Sequence, residues 1–304
     1  MSTIGEGERA KALLSRSPNT RDLALTFAGG GNRAFYQMGL MNRWQERLLP
    51  RVRAIASCSA GACVITTLLS GRRQEARTFW LRRTAGITRN FDWGKLLRGE
   101  TPAPQGEIYG ETLRVTFEDG GLERIRAQPF PIYVLASTFP WLLPYSASVA
   151  LGIGLYSLER SVRRAPHPML PRLLGFGAVV VDARTCETVD ELSDLILASS
   201  ATPPFTPIGT FRGTRLLDGG MIDNAPAFLA ERHAEVTHNV VFLSRPYHPS
   251  VLGTQGRRLY LAPTQPPPIG RWDYTRPHLL DETVAMGERE AQIHQPILDS
   301  FLDS

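Results

Sequence analysis

Ser59 lies in the run Ala54-Ile55-Ala56-Ser57-Cys58-Ser59-Ala60-Gly61-Ala62-Cys63, where apolar residues turn through small ones and continue at helical spacing to Leu69. A serine between a strand and a helix is held out from a strained sharp turn, the way hydrolases expose a nucleophilic hydroxyl. Gly61 supplies the small size such a turn needs, and Ser57 stands where the G-x-S-x-G pattern has its first glycine. A buried small-residue turn without chemistry would read the same way.

Two further groups supply what a serine nucleophile lacks. Gly29-Gly30-Gly31-Asn32-Arg33 falls between a short apolar run and a helical one, so its backbone N–H groups can point into one small volume backed by a helix dipole. The spacing fits neither G-x-x-x-x-G-K-[ST] nor G-x-G-x-x-G. A tight triple-glycine turn suits a single oxyanion, such as that of the tetrahedral intermediate in acyl transfer, where losing one donor costs roughly a hundred- to a thousandfold. Close packing alone would also call for these glycines. Asp218-Gly219-Gly220 reads by itself as a surface turn. Beside a serine it becomes a candidate base, because a hydroxyl at its free pKa needs one.

The elements that must position these residues alternate. Residues 23–28 read as a buried strand and 34–49 as a helix, then 54–57 as a strand and 60–69 as a helix. Two strand-to-helix units in succession predict an α/β domain with a mainly parallel sheet. Helices are predicted at 74–86, at 108–126 with a break at Gly120-Gly121, at 189–199, at 225–233, and at 281–302 with a break at Pro296. Strands are predicted at 131–137, 178–182, 215–217, 240–243 and 259–261. The reading divides the chain into a polar lead at 1–22, a main domain at 23–262 with an apolar insertion at about 138–176, and a Pro-rich connection with a C-terminal helix at 263–304.

With 304 residues, 42% hydrophobic and 21% charged, the composition is that of a globular chain. The formal charge of +5 rests on arginine, since Lys11 and Lys95 are the sole lysines. No nucleic-acid-binding signature accompanies it, so no nucleic-acid partner is expected. Cys58, Cys63 and Cys186 form neither a disulfide framework nor a metal pattern, which points to a reducing compartment. Residues 1–22 lack the apolar core of a secretory signal, and a cytoplasmic location is expected. From 127 to 158 there is no charged residue, and 142–158 is nearly all apolar or small, interrupted by Pro144, Gly152 and Gly154. A membrane span, a buried helix and a lid or docking helix are the three readings of this stretch. Arg160, Arg163, Arg164 and Arg172 beside it raise the third reading without displacing the buried helix, and docking would place the protein peripheral on the inner face of a membrane.

Taken in order, the three motifs resemble the patatin-like phospholipase family. Gly29 to Arg33 is similar to its oxyanion loop, Ser57-Cys58-Ser59-Ala60-Gly61 to its nucleophile elbow, and Asp218-Gly219-Gly220 to its D-G-[GA] motif. Ala198-Ser199-Ser200-Ala201-Thr202-Pro203-Pro204-Phe205 is similar to the Ala-Ser-x-Ala-x-Pro-x-Phe segment of that family, and the resemblance runs from about residue 23 to 224. It implies a three-layer α/β fold and a Ser-Asp dyad without histidine that hydrolyses lipid acyl esters through an acyl-enzyme, as phospholipase A or lysophospholipase. It also implies that Ser59 attacks and that Asp218 takes the proton and later activates water. Gly29, Gly30, Gly31 and Asn32, with Ala60, would then hold the oxyanion, and Arg33 would orient the loop or meet a headgroup phosphate. A lipid substrate is implied, with no cofactor and no metal. Ala34 and Ser57 replace glycines that the family usually has. The rival readings are a Ser-His-Asp site using His167, His233, His238, His248, His278 or His294, a Cys58 or Cys63 nucleophile, a lipid-docking protein without activity, and an acyltransferase on the same dyad.

Overall fold

A computed structural model describes residues 21–98, 101–140, 167 and 175–304. The polar lead up to residue 20, most of the uncharged run and Arg160, Arg163, Arg164 and Arg172 lie outside the described residues. The strands are β1 (Leu23–Phe27), β2 (Val52–Cys58), β3 (Ile132–Ser137), β4 (Ala178–Asp182), β5 (Gly209–Phe211), β6 (Thr214–Asp218), β7 (His238–Phe242), β8 (Gly253–Gln255) and β9 (Arg258–Leu261). The helices are α1 (Phe35–Leu48), α2 (Ser59–Ser70), α3 (Arg73–Thr84), α4 (Trp93–Leu97), α5 (Gln105–Phe117), α6 (Gly121–Arg126), α7 (Val189–Ser199) and α8 (His278–Leu302).

One sheet runs in the order β5-β6-β3-β2-β1-β7-β9-β8, with β4 also paired to β3. Its centre, β3-β2-β1-β7-β9, is parallel, and antiparallel strands close both sides. Parallel strands are covered on both faces, which is why β1 reads Leu-Ala-Leu-Thr-Phe without alternation and is buried throughout. Phe27 pairs with both Ser57 and Phe242, so β1, β2 and β7 end level. The loops leaving their carboxyl ends therefore open on one crevice, where α/β sheets place their ligands.

The pairing of β3 explains how distant residues meet. β2 pairs with β3 as far as Cys58 opposite Leu135, then turns away into α2. β4 occupies the other edge of β3, from Tyr133 to Ser137. β6 takes the edge that β2 has left, with Asp218 opposite Ala136. The carboxylate thus arrives where the strand carrying Ser59 departs.

Helix α2 is buried along its whole length, as an all-round apolar sequence requires. Helices α1 and α8 touch backbone to backbone: a Cβ on Gly39 would lie 2.0 Å from Val284 O, and one on Gly287 would lie 2.1 Å from Tyr36 O. Two expectations change. α8 begins at His278 and continues through Pro296 without the predicted break. Proline removes one helical hydrogen bond, but Tyr36 donates to Glu290 at 2.8 Å and Trp44 to Gln295 at 2.7 Å before Pro296, and Arg47 pairs with Asp299 after it, so side chains of α1 hold the helix on both sides of the proline. The helix predicted at 225–233 is a 3-10 helix at Ala227–Arg232, whose N-cap position, Pro226, supplies no side-chain cap for an α-helical first turn. The break predicted at Gly120-Gly121 is present: it parts α5 from α6, with Gly120 in the left-handed region at φ 87°. Among the described residues no helix is long and apolar enough to cross a membrane.

Candidate active site

Ser59 opens α2 with φ +51°, a left-handed conformation that costs a non-glycine residue energy and persists only where its surroundings enforce it. Its amide donates to Ser199 Oγ at 2.8 Å, and that hydroxyl donates to Leu135 O at 2.6 Å. The elbow is thereby pinned to β3 and α7. Gly61 is the residue the turn cannot replace, since a Cβ would stand 2.4 Å from Phe27 O as α2 crosses the end of β1. Ser57 fits without a glycine because it stays extended in β2 and donates its hydroxyl to Tyr133 O at 3.0 Å. Ala34 is buried in the main apolar cluster, where a methyl group is accommodated.

Ser59 Oγ donates to Asp218 Oδ2 at 2.9 Å. The same oxygen accepts from Thr202 Oγ1 at 3.2 Å, and Oδ1 accepts from the Gly220 amide at 2.7 Å. Arg271 Nη2 stands 3.8 Å from Oδ2. Burial pushes the carboxyl above the usual aspartate range, opposed first by the Arg271 charge and then by the bonds from Gly220, Ser59 and Thr202. Gly219 lets the chain leave β6 against β3, where a Cβ would meet Leu135 O at 1.9 Å.

The glycine loop touches this pair, since a Cβ on Gly29 would lie 3.0 Å from Ser59 Cβ. Two of its amides are engaged: Gly29 N donates to Asn224 O at 3.0 Å, and Asn32 N to Arg271 O at 3.1 Å. Among the described residues the amides of Gly30 and Gly31 meet no acceptor. The Ala60 amide belongs to the first turn of α2, where no intrahelical acceptor exists. Arg33 Nε turns back to Gly30 O at 3.4 Å, while Gly31 and Asn32 form the wall of the adjacent cavity.

That cavity, about 570 Å³, is lined by Ser59, Ala60 and Arg271 and by apolar residues including Phe35, Met38, Ala76, Trp80, Tyr274 and Val284. Its wall combines α1, α2, α3 and α8. The size and lining suit one apolar ligand with a polar reacting end.

The rival nucleophiles are disfavoured by their surroundings. Burial pushes the Cys63 thiol up to about 11, and burial with the nearby Asp218 charge also raises Cys58, whose Sγ donates to Asn224 O. A thiol that stays protonated is a poor nucleophile. Among the described residues no histidine hydrogen-bonds to Ser59: His167 sits between Asp223 at 2.8 Å and Tyr260 at 3.0 Å, and His294 between Tyr36 and Ala262. Sequence reasoning missed Ser199, Thr202, Asn224 and Arg271 as parts of this site. The first two lie inside the Ala198–Phe205 run it had singled out, whereas Arg271 carries no local signal.

The family model for patatin-like phospholipase matches residues 25–231, which include the loop, the elbow and the aspartate. The chain belongs to this family, and so to the lipid acyl hydrolases. Among solved structures, VipD from Legionella pneumophila is 12% identical with a TM-score of 0.44, covering 94% of this chain and 68% of its own. No curated protein matches the chain. Arg271 and α8, which complete the cavity, lie beyond the matched residues.

Proposed function

We propose that this chain hydrolyses acyl esters of phospholipids or related lipids with a Ser59-Asp218 dyad. The observation that carries the reading is the 2.9 Å bond from Ser59 Oγ to Asp218 Oδ2 on the wall of an apolar cavity. Ser59 Oγ attacks the ester carbonyl and gives its proton to Asp218. The developing oxyanion is held by the amides of Gly30, Gly31 and Ala60, donors near Ser59 that meet no acceptor among the described residues. Collapse of the intermediate returns the proton from Asp218 to the leaving alcohol, and the acyl group stays on Ser59. Water, deprotonated by Asp218, then attacks the acyl-enzyme, releasing the fatty acid and restoring the hydroxyl. Arg33 orients the glycine loop through Gly30 O.

The test is a panel of diacyl and monoacyl phospholipids and neutral glycerides, scored for free fatty acid. Wild type releases fatty acid from at least one class, Ser59→Ala abolishes release, and Asp218→Ala lowers it by about a hundred- to ten-thousandfold, the range of general-base catalysis. Release that survives Ser59→Ala would refute the dyad.

A further inference from the structure

The two most exposed large apolar side chains among the described residues stand together on α4: Leu97 at 88% and Trp93 at 71%, with Leu96 between them at 40%. Clustered exposure of this kind marks an interaction surface, unlike scattered single residues. Its charge is net positive. Arg89, Lys95 and Arg98 are exposed around it, and Asp92 is the single acid between residues 85 and 98. Asp92 caps the start of α4, accepting from the amides of Gly94 and Lys95, and feels the charges of Arg98 and Arg89, so the patch carries a net positive charge with this acid inside it. The surface therefore presents tryptophan and leucine ringed by cations, the chemistry that suits the headgroup layer of an anionic bilayer.

The patch is also joined to the site. The Trp93 ring meets Phe91 at 4.7 Å, Phe91 meets Phe205 at 5.8 Å, and Phe205 stacks on Trp272 at 5.1 Å. Trp272 lines the Ser59 cavity. A continuous line of aromatic rings thus connects the exposed face to the cavity.

We propose that α4 and the loop before it seat this chain on an anionic lipid surface, with Trp93 and Leu97 inserted among the headgroups and Arg89, Lys95 and Arg98 facing lipid phosphates. The seated orientation brings the bilayer to the Ser59 cavity, so this deepens the reading of the chain as a lipid acyl hydrolase and rests on it for its purpose.

The test separates docking from hydrolysis. The full chain carrying Ser59→Ala, which consumes no lipid, is sedimented with vesicles of phosphatidylcholine and with vesicles in which a third of the lipid is phosphatidylglycerol. The anionic vesicles bind it more tightly. Arg89→Gln/Lys95→Gln/Arg98→Gln weakens that binding about a hundredfold, as expected for three cations near a charged surface. Trp93→Ala/Leu97→Ala weakens it at least about tenfold, from the lost apolar burial. Ile293→Ala/Ile297→Ala, on the exposed apolar positions of α8, leaves it unchanged. In a Ser59-intact chain, Trp93→Ala/Leu97→Ala retains turnover of a soluble short-chain ester.

Equal binding to both vesicles, or full binding by either α4 variant, would overturn the proposal. So would loss of soluble-ester turnover equal to the loss on vesicles, or an α4 variant that changes only the oligomeric state. If the binding pattern holds while the Ser59-intact chain releases no fatty acid from any lipid, docking stands and the hydrolase reading falls.

Discussion

In the proposed dyad Asp218 acts as a base only while ionised, yet its burial favours the protonated form, and the Arg271 guanidinium is the largest influence in the other direction. Turnover must therefore fall as pH drops through the Asp218 pKa, and removing the cation must raise that pKa. Arg271→Met is expected to move the acidic limb of kcat/KM to higher pH, and a limb displaced by a full pH unit means about 1.4 kcal/mol of lost preference for the carboxylate. Arg271→Lys brings the limb part of the way back. A pH profile on a soluble ester reads both, and an unmoved limb would show that Arg271 does not govern Asp218. Ser59, Asp218 and the glycine loop were legible because each lies in a local run whose residue types have a physical meaning. Arg271 was not, because it reaches Asp218 only after the chain has passed through β7 and β9 and folded back.

At the scale of elements, the loop that carries Arg271 and Trp272 is held by Asp273. Burial would raise this carboxyl, but Thr275, Arg276 and Asn90 donate to it and together hold it at about 2. Its unfolded value is about 3.9, so the folded pKa is the lower one. The stabilisation is complete above the unfolded value and is lost as pH falls from about 4 to about 2, amounting to roughly 2 kcal/mol at neutral pH. Asp273→Asn should lose that amount in urea unfolding at neutral pH and show a flatter dependence across the acidic window. An unchanged slope there would exclude the linkage. Asn32 Nδ2 donates to Asp273 O at 2.7 Å, so the same loop also braces the glycine turn. The strand-helix alternation was legible from periodicity, to within a residue or two for β1, β3, β4 and α7. The five residues of α4 are too few to show a helical period, and α8 runs through Pro296 because of partners on α1 that no local window contains.

For the molecule as a whole, the cavity is the product of elements far apart in sequence, with Ser59 from α2, Ala76 and Trp80 from α3, and Leu280 and Val284 from α8. An acyl chain entering it leaves water, at about 0.8 kcal/mol per methylene. For soluble esters, kcat/KM should therefore rise about fourfold per added methylene until the cavity is filled. Ala76→Phe, which fills part of that volume, should shift the optimum to shorter chains while sparing the shortest ester. A flat chain-length profile would mean that the cavity does not hold the acyl group. The most direct measurement is intact-protein mass spectrometry after exposure to a fluorophosphonate, with the adduct located by peptide mapping. A single adduct on Ser59 of the wild type, absent in Ser59→Ala and slowed in Asp218→Asn, is the predicted result; an unlabelled wild type, or an adduct that survives Ser59→Ala, would contradict it.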